Sequence, residues 1–306
     1  MKQAQGEDAE EAFIDGVITS GRCQDYENNW GLSEKKKSPE KGYSLYYQGR
    51  CALASNDAHM AKGHFQQALK HRNDFVEALF WLGVTHWALL EFENERIHYE
   101  KALHLNPDHT PSLLYLGHHY LDQGEWQKAI QLYQKVLKIK PDQATAMYNL
   151  SLAYARQGDT SAEEKILQRY LDVYRSGEES IKALNRLNQK GNFSYRGIWI
   201  NKRLFIIPAV SFESGSAEFS EEQFHKVENI AEILQKADAQ TIFLVVYVEA
   251  NEPLAKQRAL RIKDLFQEKY RVLFQTSWFG EAETIRLNNK SIHLSASVKW
   301  IVQQEQ

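Results

Sequence analysis

The feature that most constrains this chain is a repeat. From residue 42 to residue 143 the same small and aromatic residues return three times with a period of about 34 residues. The first copy, 42–75, carries Gly49, Ala61, Phe65 and Ala68. The second, 76–109, carries Gly83, Glu95, Tyr99 and Ala102 at the same offsets, and the third, 110–143, carries Gly117, Ala129, Tyr133 and Val136. Two Pro-Asp steps, Pro107-Asp108 and Pro141-Asp142, punctuate the series one period apart. A unit of this length cannot bury its apolar face alone, so stacked copies must supply one another's core. A Gly or Ala lets the first helix of a pair approach the second, and the ring fills the gap toward the next pair.

These residues resemble the tetratricopeptide repeat, which implies antiparallel helix pairs stacked into a right-handed solenoid. A fourth, degraded copy begins at Ala144, where Leu150, Tyr154 and Gly158 repeat Leu116, Tyr120 and Gly124 while Ser151 replaces the packing glycine. Terminal repeats are atypical because one side has no neighbour to bury. Residues 179–189 then read as a capping helix with Ile181, Leu184 and Leu187 on one face, so the solenoid extends over 42–190.

In that family the inner wall is built from the first helix of each pair. The matching places hold Tyr43, Tyr46, Arg50 and Leu53; Glu77, Phe80, Val84 and Trp87; Leu114, His118 and Leu121; Tyr148 and Leu152. The expected protein-binding groove is therefore Tyr43, Tyr46, Arg50, Phe80, Val84, Trp87, Leu114, His118 and Tyr148, with Tyr46, Phe80, Trp87 and Tyr148 as anchors for a peptide or helix with apolar side chains. Relatives that clamp a chaperone's acidic C-terminus use Lys and Asn where this chain has Tyr46 and Arg50, or Phe80 and Val84, so no carboxylate clamp is expected. The same rings could instead pack against the N-terminal arm or the second domain.

Composition narrows the function class. With 37 Lys and Arg against 40 Asp and Glu there is no basic excess to draw the chain to nucleic acid or anionic lipid. No run of about 18 apolar residues predicts a transmembrane helix. Residues 1–41 read as a flexible polar arm, with a short helix over 8–17 and Phe13, Ile14, Tyr26 and Trp30 available for docking onto the first repeat. The opening MKQAQGEDAEEAF has neither a basic start with an apolar core nor a lipid-attachment Cys, so no export signal is expected in it. Cys23 and Cys51 fit either one disulfide or two thiols.

After Gly191 the apolar period changes from helical to alternating. Strands are expected at 197–208, 210–212, 241–248, 271–278 and 292–302, with helices at 221–236 and 254–270. The unbroken apolar run TIFLVVYV suits a sheet interior. The segment Val210-Ser211-Phe212-Glu213-Ser214-Gly215-Ser216-Ala217-Glu218-Phe219, the helix start Leu254-Ala255-Lys256-Gln257-Arg258-Ala259 and the loop Phe279-Gly280-Glu281 resemble the OmpA-like peptidoglycan-binding domain. The resemblance covers 195–303. The fold class it implies is a two-domain α plus α/β chain: an all-α tetratricopeptide solenoid followed by an OmpA-like β-α-β-α-β-β sandwich.

The OmpA-like resemblance also implies a site. In that family an Asp after the central strand takes the ammonium of diaminopimelate, and the helix Arg takes a carboxylate. Arg258 matches the Arg, and Glu249 lies where the Asp lies. The loop between them is shortened to Ala250-Asn251-Glu252-Pro253, and 293–298 lacks the family's paired arginines. Arg258 could alternatively pack its stem on the helix and pair with a carboxylate.

No catalytic constellation is present: no His-Glu-x-x-His, no Gly-x-Ser-x-Gly, no phosphate-binding glycine loop. No enzyme, cofactor or metal is expected. His118 and His119 are adjacent on a helix and point apart, His86 reads as a packed core group, and Glu213, Glu218, Glu221 and Glu222 read as structural carboxylates near a helix start. The expected function is a non-enzymatic envelope or periplasmic scaffold that binds a protein partner and associates with peptidoglycan. The alternatives are a protein-only adaptor and a cytoplasmic location.

Overall fold

A computed structural model describes Cys23 and residues 38–236, 241–269, 273–287 and 290–303. The expected helix at 8–17 and the docking of Phe13, Ile14, Tyr26 and Trp30 lie outside the described residues. Cys23 is joined to Cys51 by a disulfide. The chain divides into two compact units, Met1–Gly158 and Asp159–Gln306.

The first unit consists of helices α1 (Ser38–Ala54), α2 (Ala58–His71), α3 (Val76–Ala88), α4 (Phe92–Leu105), α5 (Thr110–Asp122), α6 (Trp126–Ile139) and α7 (Ala144–Gln157). The glycine-ring pattern read from the sequence is the contact inside each pair. A Cβ on Gly49 would stand 2.6 Å from the Phe65 ring and one on Gly117 would stand 2.7 Å from the Tyr133 ring, with Gly83 equally tight against Tyr99. All three rings are fully buried. Glu95, which occupies the place of Ala61 and Ala129, is buried and meets His119 Nδ1 at 3.2 Å; burial raises its pKa. The turns also keep the period. Asn56, Leu90, Gly124 and Gly158 follow one another at one-repeat spacing, and all four have left-handed backbone, with φ of 61°, 60°, 77° and 86°. Glycine adopts this conformation freely and Asn readily, whereas for Leu it costs on the order of 1 to 3 kcal/mol.

In the second unit, α8 (Thr160–Val173) and α9 (Glu178–Gln189) precede a hairpin of β1 (Tyr195–Ile200) and β2 (Arg203–Pro208). Tyr195 donates its hydroxyl to Asp172 Oδ1 at 2.6 Å, and the Ile206 N–H donates to Arg175 O at 2.6 Å, so the end of α8 is bonded to both hairpin strands. There follow α10 (Glu221–Lys236), β3 (Thr241–Val248), α11 (Glu252–Lys269), β4 (Leu273–Phe279), β5 (Glu283–Leu287), β6 (Lys290–Leu294) and β7 (Ala296–Val302). The central sheet runs β4-β3-β7, with β4 parallel and β7 antiparallel to β3. Its core gathers Ile242, Leu244 and Val246 of β3 with Val227, Ile230 and Leu234 of α10 and Ala255, Ala259 and Ile262 of α11.

Four strand expectations differ from the structure, and one observed strand was not expected. Residues 197–208 form a hairpin, because Asn201 and Lys202, with φ of 46° and 65°, make a two-residue turn of the kind that suits strand twist. Residues 210–212 are not a strand: the Ser211 N–H is taken by the Gln223 side chain at 2.9 Å and the Glu213 N–H by Glu218 O at 3.3 Å. The run TIFLVVYV is not buried on both faces, since Ile242, Leu244, Val246 and Val248 are buried while Phe243, Val245 and Tyr247 are half-buried. Residues 292–302 break at Ser295, where the chain passes from pairing with β5 to pairing with β3. Strand β5 itself falls in a stretch for which no strand was expected, so the observed order is β-β-α-β-α-β-β-β-β rather than β-α-β-α-β-β.

Candidate functional site

The nine expected groove residues divide by burial. Tyr46, Arg50, Phe80 and Leu114 are buried in the repeat core, Tyr43, Val84, His118 and Tyr148 are half-buried, and Trp87 is 54% exposed. Tyr46 packs against Phe65 and Phe75 at centroid distances of 5.9 and 4.8 Å. Arg50 lays its guanidinium 3.8 Å from the Trp81 ring centre and donates to the Tyr46 hydroxyl at 3.0 Å. Phe80 is enclosed by Trp81, Tyr99, His109 and Tyr115. Tyr46 and Phe80 therefore serve as inter-helix filling where anchors were expected. The reason is that a ring at the inner wall is within reach of the next repeat. Tyr115, which the sequence reading did not single out, is 37% exposed at the edge of this ring cluster.

His86 is buried and directs Nδ1 to Glu91 Oε2 at 2.6 Å. Burial lowers its pKa, while bonds from Lys62 and His86 hold the Glu91 carboxyl down at about 2. His118 turns to the rings of Tyr115 and Tyr133, whereas His119 turns to Glu95. Among the described residues no group of three or more His, Cys, Asp or Glu is placed to hold a metal, and no helix is long and apolar enough to cross a membrane.

The second unit brings Glu249 and Arg258 to one cavity of about 340 Å³. Its walls come from four separate segments: the irregular stretch at Ser211 and Phe212, the end of β3, the start of α11, and Ser295 to Val298. Glu249 is exposed, and its N–H donates to Ser295 O at 2.7 Å, which fixes the carboxylate's stem at the rim. Ala250 then takes a left-handed φ of 56°, and Asn251 caps α11 by accepting the Leu254 N–H at 3.0 Å. The shortened loop is thus used to start the helix that carries Arg258.

Arg258 is only 5% exposed. Its Nε donates to Ser216 O at 2.8 Å and its Nη2 to Glu213 O at 3.0 Å, while the guanidinium lies 4.8 Å from the Phe212 ring centre. Burial lowers its pKa, and no carboxylate among the described residues neutralises it. The arginine therefore clamps the 213–216 loop by its carbonyls, in place of the carboxylate pairing considered above. Ser211, Ser214 and Ser297 add hydroxyls to the same cavity. Ser297 lies far in sequence from Ser211 and Ser214, and only the fold brings it to them. Glu213, Glu218, Glu221 and Glu222 are exposed. Of these, Glu222 pairs with Lys226 at 2.6 Å and Glu218 with Arg261 at 3.7 Å.

The tetratricopeptide repeat family matches residues 40–110 and 145–176, and a family described as TPR repeat matches 117–158. No curated protein matches the chain as a relative. Among solved structures, a crystal structure of MamA is 21% identical with a TM-score of 0.45, over 55% of this chain and 95% of that one. A MamA fragment from Desulfovibrio magneticus RS-1 is 21% identical with a TM-score of 0.45, over 49% and 85%. YrrB, described as a TPR protein with an unusual peptide-binding site, is 18% identical with a TM-score of 0.46, over 61% and 97%.

Proposed function

Because residues 40–110, 117–158 and 145–176 are tetratricopeptide repeats, we propose that this protein is a non-enzymatic scaffold that takes a protein partner through a solenoid spanning 42–190. We further propose that an OmpA-like domain over 195–303 associates it with peptidoglycan in the cell envelope. The observation that carries the second part is the convergence of Glu249 and Arg258 on one cavity. A carboxylate at the rim and an uncompensated guanidinium deeper in suit a ligand with an ammonium and a carboxylate, as a diaminopimelate side chain has. The Cys23–Cys51 disulfide supports an oxidising compartment such as the periplasm.

A protein-only adaptor is the second reading, favoured by one observation: two of Arg258's donors are already given to the carbonyls of Glu213 and Ser216. Co-sedimentation of the full chain with purified sacculi separates the two. Glu249→Gln is the informative variant, because Glu249 is exposed and its bond to Ser295 is made through the backbone, which the variant keeps. Wild-type binding that the variant loses supports the glycan reading. Binding that the variant keeps removes this cavity from it, and no binding by the wild type favours the adaptor.

A further inference from the structure

Among the described residues of the first unit, Leu90 sits at the one turn whose left-handed position is filled by a residue poorly suited to it. One period before it stands Asn56, and one and two periods after it stand Gly124 and Gly158. Leu has no side-chain acceptor or donor to compensate the conformation, as Asn has. It is also 73% exposed, so burial returns little of what the backbone loses. Trp87 at 54% and Phe92 at 42% flank the same turn. The bond from Lys62 to Glu91 at 2.7 Å draws the first turn of α2, with Met60 at 55%, alongside. A lone exposed apolar residue needs no explanation, but a cluster of them around a strained turn points to a partner.

The charges on this edge specify what kind. Among the described residues three cations on this edge are already held: Lys62 by Glu91, Arg96 by Glu93 and by Glu100 at 2.8 Å, Lys128 by Glu125. Asp57, at the preceding turn, spends one oxygen on the Met60 N–H, and neither it nor Asp122, beside the following turn, meets a cation among the described residues. The apolar knob therefore stands in an acidic rim. A second copy of the same turn would bring like charges together, and an anionic membrane would be repelled. We propose that the Trp87–Leu90–Phe92 turn docks a partner protein's amphipathic helix whose apolar stripe is flanked by Lys or Arg. The site shares Trp87 with the expected inner wall and adds Leu90 from the turn that follows α3 and Phe92 from the start of α4.

The test uses the full chain and a labelled synthetic amphipathic helix with a Leu stripe, in Lys-flanked and Glu-flanked forms, followed by fluorescence anisotropy. The Lys-flanked peptide should bind the wild type at least about tenfold more tightly than the Glu-flanked one, and lose about tenfold with Leu90→Asn or Trp87→Ser. Leu90→Asn should melt at or above the wild-type temperature, because Asn56 already occupies the equivalent conformation. Unchanged peptide binding by both variants would overturn the proposal, as would a lower melting temperature for Leu90→Asn. Cosedimentation with phosphatidylcholine or phosphatidylglycerol vesicles that both variants lose would overturn it in favour of a lipid surface.

Discussion

Gly117 on α5 lies directly under the ring of Tyr133 on α6, so close that a Cβ on Gly117 would stand 2.7 Å from Cε1. In an exposed helix, Gly→Ala gains about 1 kcal/mol of propensity. Here the added methyl meets a fully buried ring that has nowhere to go, and overpacking costs about 1 to 3 kcal/mol. Gly117→Ala is therefore expected to destabilise the first unit despite its better helix propensity, and Gly117→Leu to do so more severely. Urea denaturation decides the sign. A stabilised Gly117→Ala would mean that α5 and α6 do not meet at this glycine.

Phe80 and Trp87 share the expected inner wall but not its physics. Phe80 is 6% exposed among four other rings, so Phe80→Ala is expected to cost about 3 to 5 kcal/mol. Trp87 is 54% exposed, and Trp87→Ala is expected to fall within about 0.5 kcal/mol of the wild type. Loss of partner capture by a Phe80 variant would therefore report unfolding as much as contact, whereas a Trp87 variant isolates the surface. Denaturation midpoints of the two single variants check this. Equal effects would contradict the burial difference.

His109 caps α5 through its ring, with Nδ1 accepting from the Ser112 N–H at 3.4 Å and lying 2.7 Å from Ser112 Oγ. A protonated ring can no longer accept, and its charge would face the positive end of the helix dipole. Burial, followed by the charge of Lys140, lowers its pKa to about 4. The unfolded chain, with an ordinary His pKa of about 6.5, takes up the proton first. Stability from this group is therefore present above about pH 6.5 and is lost as pH falls through the folded value near 4. His109→Asn keeps a capping oxygen without the titration. Its melting temperature should fall less than the wild type's between pH 7 and pH 4. Parallel curves would show that His109 does not contribute to the acid sensitivity.

The repeat was legible in the sequence because its cause is local and periodic. A glycine and a ring 16 residues apart, as in Gly49 and Phe65, Gly83 and Tyr99, Gly117 and Tyr133, are determined by how two successive helices touch. The same locality makes α10 readable, where Val227, Ile230, Ala231 and Leu234 define one buried face. Which rings of the inner wall remain exposed was decided only in three dimensions. The burial of Phe80 depends on Tyr99, His109 and Tyr115, and Tyr115 belongs to the following repeat. In the second unit, local pattern could propose strands but not their partners. Nothing in 292–302 by itself says that Ser295 is where pairing passes from one sheet to another, or that its carbonyl meets the Glu249 N–H. Resemblance suggested Glu249 and Arg258, but their shared cavity and the clamp of Arg258 on Ser216 O required a loop, a strand end and a helix start to converge. Sequence thus determined what depends on neighbours within a few turns of chain, and tertiary structure decided what depends on groups brought together from distant positions.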